Sequence, residues 1–252
     1  RASSHYVEQL LELSRQHQTP LLLTAANLAA GNNFLYQGEP ARAVEYLNRS
    51  STYFSLPLRR EYIETFGVDA SVLCHTHRSR ALSLLGFHDE AQRDVETALR
   101  LADDLAHPFS MAQALRFALE HYHFRGDTEE MSRYIAKMLG HCERFGLDNL
   151  ADQTRVFQGW LRAKQGKLDA GIRQVEQALG KLLQTDDKLR EPYFISLQID
   201  LYRTDRRYAE ARQLLERSLN EILHNGLYIY QPELLRLRGA LLLAGTPEQS
   251  SA

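Results

Sequence analysis

The 252-residue sequence is poor in several things at once. It has 2 Cys, 7 Pro and 14 Gly, a formal net charge of only −2, and no long apolar run. Two cysteines cannot build a disulfide framework, which points to a reducing compartment and a cytoplasmic setting. Without a stretch of about 18 apolar residues, no membrane span is expected. The near-neutral balance argues against a chain whose main task is to grip nucleic acid or an anionic membrane. Arg203, Arg206 and Arg207 are interleaved with Asp200, Asp205 and Glu210 rather than forming a basic patch. The first residues, Arg1 to Tyr6, hold no initiator Met and no apolar signal core, as expected of a piece of a larger protein. Scarce Gly and Pro leave little material for β-turns. What is present is average, with 44% hydrophobic and 25% charged residues, so disordered, collagen-like and coiled-coil compositions are excluded.

Apolar residues recur at helical spacing along almost the whole chain, as in Ala91, Val95, Ala98 and Leu99, and no stretch sustains the alternation of a half-buried strand. The expected fold is all-α. Internal repetition organises it. Gly86, Gly126 and Gly166 stand 40 residues apart, and the next step lands on Arg206. Five residues after each comes Ala91, Met131, Gly171 or Ala211, and four further on Val95, Ile135, Val175 or Leu215. A second turn column holds Gly146, Asp186 and Gly226, and Pro192 and Pro232 share a third. An earlier copy, with Gly38, Ala43 and Leu47, precedes Gly86 by 48 residues, and the stretch Pro57 to Phe66, which shows no clear helical face, accommodates the additional eight.

The repeating unit reads as a helix–turn–helix. Helix A ends at the repeat glycine, which adopts the left-handed C-cap conformation, and helix B begins two residues later. Small residues at Gly31, Gly159, Gly239, Ala43 and Ala211 let A and B approach closely. The spacing predicts helices over 4–17, 20–37, 40–54, 68–85, 88–105, 108–125, 128–145, 148–165, 168–184, 190–204, 208–224 and 231–244. One hairpin cannot bury its apolar face alone, so neighbours stack. The chain is expected to be a single array over 1–252, with about five hairpins and a lone helix at either end.

The order Gly31, Phe34, Gly38, Ala43, Leu47 resembles the tetratricopeptide repeat, as do Tyr122 with Gly126 and Tyr202 with Tyr208 and Ala211. Each helix here is about one turn longer than in the usual repeat. That longer form is similar to the C-terminal arrays of large bacterial regulators: transcriptional activators of the MalT and LuxR kind, and fusions of an ATPase with a kinase or nucleotide cyclase. The segments that carry this resemblance include Leu35 to Glu39, Leu84 to Phe87, Ala106 to Ser110 with Ala112, Gly159-Trp160, Gln165-Gly166, Pro192 to Phe194 and Glu233 to Gly239. Arg206 in place of the turn glycine and Arg162 at a usually apolar or aromatic position depart from the pattern. The resemblance implies a right-handed α-solenoid.

Motifs for catalysis are missing. Gly166-Lys167 and Gly180-Lys181 lack the spacing of a phosphate loop, and there is no Gly-x-Ser-x-Gly or His-Glu-x-x-His. Cys74, His75 and His77, and His121 with His123, are the most metal-like groups. Helix positions two apart point about 200° apart, so they read as ordinary histidines and no metal or cofactor is expected. Carboxylate pairs such as Asp103-Asp104 and Glu129-Glu130 fall near helix ends.

In tetratricopeptide arrays the A helices line a concave groove. Carrying those positions over gives Asn32, Tyr36, Thr76, Arg80, Arg116, Glu120 and His123, then Gln153, Trp160, Tyr193, Ser196, Asp200 and Arg203. Aromatics mixed with Arg, Asn and Asp suit peptide, carboxylate or sugar recognition. The expected function is therefore a non-catalytic regulatory module that binds a protein, a peptide or a small effector. It would bias a linked ATPase, cyclase, kinase or DNA-binding domain outside this sequence, with no nucleic-acid or membrane contact of its own. A sugar-like small-molecule sensor and a passive scaffold for homo-oligomers are the alternatives.

Overall fold

The computed structural model describes residues 2–185 and 188–244, the side chains of residues 2 and 3 excepted; Asp186 of the second turn column lies outside the described residues. The described residues contain no strand and group into two compact units, 1–147 and 148–252. The first holds α1 (Ala2–His17), α2 (Pro20–Tyr36), α3 (Pro40–Ser51), α4 (Leu56–Phe66), α5 (Ala70–Leu84), α6 (His88–Leu105), α7 (Pro108–Arg125) and α8 (Thr128–Phe145). The second holds α9 (Asp148–Lys164), α10 (Leu168–Leu182), α11 (Glu191–Thr204), α12 (Tyr208–Asn225), a 3-10 turn (Tyr228–Tyr230) and α13 (Gln231–Ala244). No helix among the described residues is long and apolar enough to cross a membrane.

The A helices are α2, α5, α7, α9 and α11, each packed on the B helix that follows. Proline opens α2, α3, α7 and α11 in the first turn, where its missing N–H costs nothing. B helices bury one stripe, as Ala91, Val95, Ala98 and Ala102 do on α6, whereas α7 buries Ala112 through Tyr122 without interruption. All five hairpins close the same way. The peptide N–H just past the turn donates to a carbonyl five residues back: Glu39 to Phe34, Phe87 to Leu82, Asp127 to Tyr122, Lys167 to Arg162 and Arg207 to Tyr202, at 2.8–3.2 Å. The turn residue has positive φ in every case, including Arg206 at 62° where the others have glycine.

Between helices A and B of the fourth hairpin the approach is tighter than any side chain allows. A Cβ on Gly171 would lie 2.5 Å from the Gly159 carbonyl oxygen and 2.7 Å from the Ala163 Cβ. Gly31 makes a similar approach to Leu47, whereas space around Gly239 is open. The small residue at 239 therefore serves no close packing, because no B helix follows α13 within the described residues.

The stretch Pro57 to Phe66, expected to lack a clear helical face, lies in the helix Leu56–Phe66. Ser55 caps it by accepting from the Leu58 N–H, Pro57 sits in its first turn, and Gly67 ends it at φ 72°. Its buried positions are Leu58, Arg59 and Tyr62, so one member of the inward face is a cation and the apolar period fails. Arg59 is neutralised by Asp69, which is fully buried and caps α5. The guanidinium donates twice to Asp69 Oδ2, at 2.9 and 2.5 Å, and once to the Leu101 carbonyl at 2.7 Å. The Ser71 N–H donates to Asp69 Oδ1, and the Asp69 N–H to Ser110 Oγ. The Arg59–Asp69 pair thus ties α4, α5, α6 and α7: the carboxylate bonds α4 and α5, the guanidinium reaches α6, and the Asp69 N–H reaches α7. Tyr62 joins Leu28, Leu47, Val68 and Cys74 in the core beneath.

Three substitutions test this account by thermal and urea denaturation. Arg59→Met should cost about 3–5 kcal/mol, because it strands the Asp69 charge without its partner. Gly171→Ala should cost about 1–3 kcal/mol, since the obstacle is backbone. Arg206→Gly should instead stabilise by up to about 1 kcal/mol through relief of the left-handed conformation. A stabilising Gly171→Ala would refute the close approach.

Candidate functional site

Within each unit, positions 40 residues apart meet on consecutive A helices, Arg80 with Glu120 in the first and Trp160 with Asp200 in the second, and Asn32 holds the corresponding place on α2, 48 residues before Arg80. In the first unit Arg80 on α5 lies 3.4 Å from Glu120 on α7, and Glu120 lies 3.5 Å from Arg116 one turn earlier. Arg80, Arg116 and Glu120 are 5%, 3% and 1% exposed, so these charges interact in a low-dielectric setting. Arg116 also donates to Gln113 at 2.5 Å and covers the Phe117 ring at 4.3 Å, and the Tyr36 ring stands 5.7 Å from the Arg80 guanidinium. The remaining first-unit candidates have more local roles. Asn32 is half-buried, Thr76 is buried and donates to the Leu73 carbonyl on its own helix, and His123 is half-buried beside Phe124.

In the second unit the same column gives a direct contact. Trp160 Nε1 donates to Asp200 at 3.3 Å, joined by Lys164 at 2.7 Å and Arg203 at 2.9 Å, with the Lys164 ammonium 5.0 Å from the indole. Burial by itself would raise the Asp200 carboxyl, but the Lys164 and Arg203 hydrogen bonds outweigh it and hold it below its ordinary value. Tyr193 is buried among Phe157, Phe194 and Tyr230. Ser196 is buried and donates to the Tyr193 carbonyl; Gln153 is buried and donates to Asn149. The structure therefore gathers Arg80, Arg116, Glu120 and Tyr36 into one cluster and Trp160, Asp200 and Arg203 into another, and sets Thr76, Ser196 and Tyr193 into packing.

Sequence reasoning missed Lys164 and Gln113. The 40-residue column that pairs Trp160 with Asp200 was the available signal, since Lys164 lies one turn beyond Trp160. The Cys74, His75 and His77 group disperses. Cys74 Sγ donates to the Leu47 carbonyl and burial pushes its thiol up to about 12; His77 Nδ1 bonds the Leu73 carbonyl. His75 meets Asp94, which also accepts two hydrogen bonds from Arg78 and lies below its ordinary range, burial being outweighed by these partners. Among the described residues no three His, Cys, Asp or Glu side chains converge as a metal site. His121 is pushed down to about 4, chiefly by burial and then by the Arg125 and His88 charges, and faces Gln92 Oε1 at 2.8 Å.

No family model matches the sequence. An uncharacterized protein of Rhizobium meliloti (strain 1021) is 23% identical over 186 residues, covering 74% of this chain and 18% of that protein. The chain thus spans less than a fifth of that relative's length. Among solved structures, a Rap protein complexed with competence and sporulation factor is similar with a TM-score of 0.61 at 15% identity, covering 94% of this chain and 71% of that one. RapI in its apo form gives 0.57 at 13% identity, covering 92% and 89%. BtubC from P. vanneervenii gives 0.54 at 13% identity, covering 100% and 94%. The likeness is one of fold, and it supports the all-α, solenoid-like reading of the repeats.

The titrations set two pH windows. His121 binds its proton only near pH 4 when folded, against 6.5 as a free side chain, so stability should fall as pH drops from about 6.5 toward 4. Asp94 and Asp200, both held down in the fold, add a further loss below the ordinary aspartate value of 3.8. Urea midpoints across this range should show His121→Gln flattening only the upper window; an unchanged upper slope would refute the assignment.

Proposed function

We propose that this chain is a non-catalytic interaction domain that captures a protein or peptide partner on the polar faces of its A helices. The observation that carries this reading is the column in which adjacent repeats meet through charged and aromatic groups, Arg80 to Glu120 and Trp160 to Asp200. Apolar residues would pack these helices at least as well, because a buried ion pair adds little net stability. Guanidinium, carboxylate, indole and amide groups in register are instead the equipment of recognition, and Arg and Trp are the residue types that dominate binding hot spots.

The regulatory setting extends this proposal. Segments such as Leu84 to Phe87 and Glu233 to Gly239 resemble the arrays of MalT- and LuxR-type regulators and of ATPase–kinase or ATPase–cyclase fusions. In such a setting partner binding acts by favouring one packing of the array against a linked output domain. The likeness to a Rap protein complexed with competence and sporulation factor supports the binding role at the level of fold.

Thermal shift of the purified chain against peptide and metabolite panels tests the reading. A peptide that raises the melting temperature should bind at least about tenfold more weakly to Arg116→Met and to Trp160→Ala, a loss of about 1.4 kcal/mol or more. Gly180→Ala, at an exposed site on α10, should bind unchanged. Full binding by both site variants would overturn the A-helix assignment, and hits confined to sugars or other metabolites would replace the peptide reading with a sensor.

A further inference from the structure

The first and third hairpins share an aromatic pair that the fourth lacks. Four residues before and eight after the turn residue, the first hairpin places Phe34 against Tyr46 with centroids 5.2 Å apart, and the third stacks Tyr122 on Tyr134 at 5.1 Å. The fourth has Arg162 and Gln174 there. Instead of a packed aromatic pair, α9 and α10 border an open cleft of about 580 Å³.

Four cations and a single carboxylate line it. Arg155 and Lys181 share Asp152, at 2.6 and 3.6 Å, at the end away from the turn. Arg162 and Arg173 lie at the turn end, and neither makes an ion pair among the described residues. Seven residues of helix separate Arg155 from Arg162, about 10 Å along the axis. Between the two poles stand glutamines. Gln174 donates to Gln158 at 2.5 Å, yet its own buried Oε1 accepts no hydrogen bond. A buried acceptor without a donor calls for an incoming N–H. A phosphate chain has acceptors only, whereas a peptide backbone offers both.

We infer that this cleft docks an extended acidic peptide segment. Its carboxylates, three or four residues apart, would reach the Arg162–Arg173 pole and the Arg155–Lys181 pole, since a chain extended as polyproline II repeats its face every three residues and covers about 9 Å in doing so. The Gln174 amide, turning out from its contact with Gln158, would present its Oε1 to a backbone N–H of the same segment. Arg162 lies two residues from Trp160, about 200° around α9, so this surface is separate from the A-helix column proposed above.

Fluorescence polarisation on the whole chain tests it, with a pool of labelled peptides carrying two glutamates three or four residues apart, a matched glutamine pool, and tripolyphosphate as competitor. The glutamate pool should bind, weaken as salt rises, and lose about tenfold or more in affinity with the Arg162→Glu, Arg173→Glu double variant. Both arginines are exposed, and circular dichroism verifies that the variant stays folded. Gln174→Leu should weaken the peptide several-fold and leave tripolyphosphate unchanged, and Arg116→Met should alter neither. Equal binding of the two pools, binding indifferent to the charge reversal, or tight tripolyphosphate with no peptide binding would each overturn the assignment. Loss with Arg116→Met alone would place the peptide on the A-helix face instead.

Discussion

The whole arrangement depends on a hydrogen bond that each hairpin can make only if one residue turns left-handed. The N–H just past the turn reaches back to a carbonyl near the end of helix A, which fixes where helix B starts and at what rotation. Once the rotation is set, the same residues of each B helix face the preceding A helix, and within each unit positions 40 apart meet, as Arg80 with Glu120 and Trp160 with Asp200 do. The constraint is strong enough to hold Arg206 at a φ of 62° against its own steric preference. Contacts as tight as that between Gly159 and Gly171 follow from it, because the helices have one permitted approach and only a hydrogen atom fits between them.

Apolar stripes then bury each hairpin, but the polar groups caught inside make the packing specific. The Arg59–Asp69 pair joins four helices through its guanidinium, carboxylate and backbone N–H, and Asp94 joins α5 to α6 through His75 and Arg78, which also reaches Asn48 on α3. Removing one partner from such a group strands a buried charge, so these residues act as units. The Arg80–Glu120–Arg116 cluster belongs to the same class energetically. It differs in recurring along the A-helix column, where Trp160 and Asp200 take the corresponding places in the second unit.

The two surfaces read as functional arise from opposite treatments of the repeat. On the A-helix column the chain keeps the register and places polar groups in contact with one another. In the α9–α10 cleft it abandons an aromatic pair that two other hairpins retain, and leaves space lined by cations. A repeat protein can vary one hairpin in this way because its stability is approximately a sum over neighbours.

The hairpins were legible in the sequence because their causes are local: a 3.6-residue apolar period, prolines in first turns, and residues at a fixed interval that end helix A. Even the column linking Trp160 to Asp200 is arithmetic on that interval. Helix α4 was not legible, since its inward face includes Arg59, whose burial makes sense only once Asp69, ten residues on, is known to lie against it. Nor could the sequence say that Arg80, Arg116 and Glu120 bury together while Arg162 and Arg173 stay exposed, or that Tyr193 joins an aromatic cluster. The type and order of elements follow from interactions within a few residues, which the sequence writes out directly. Which charges pair, and which space is left open, depends on side chains brought together from different helices, and only the tertiary structure decides that.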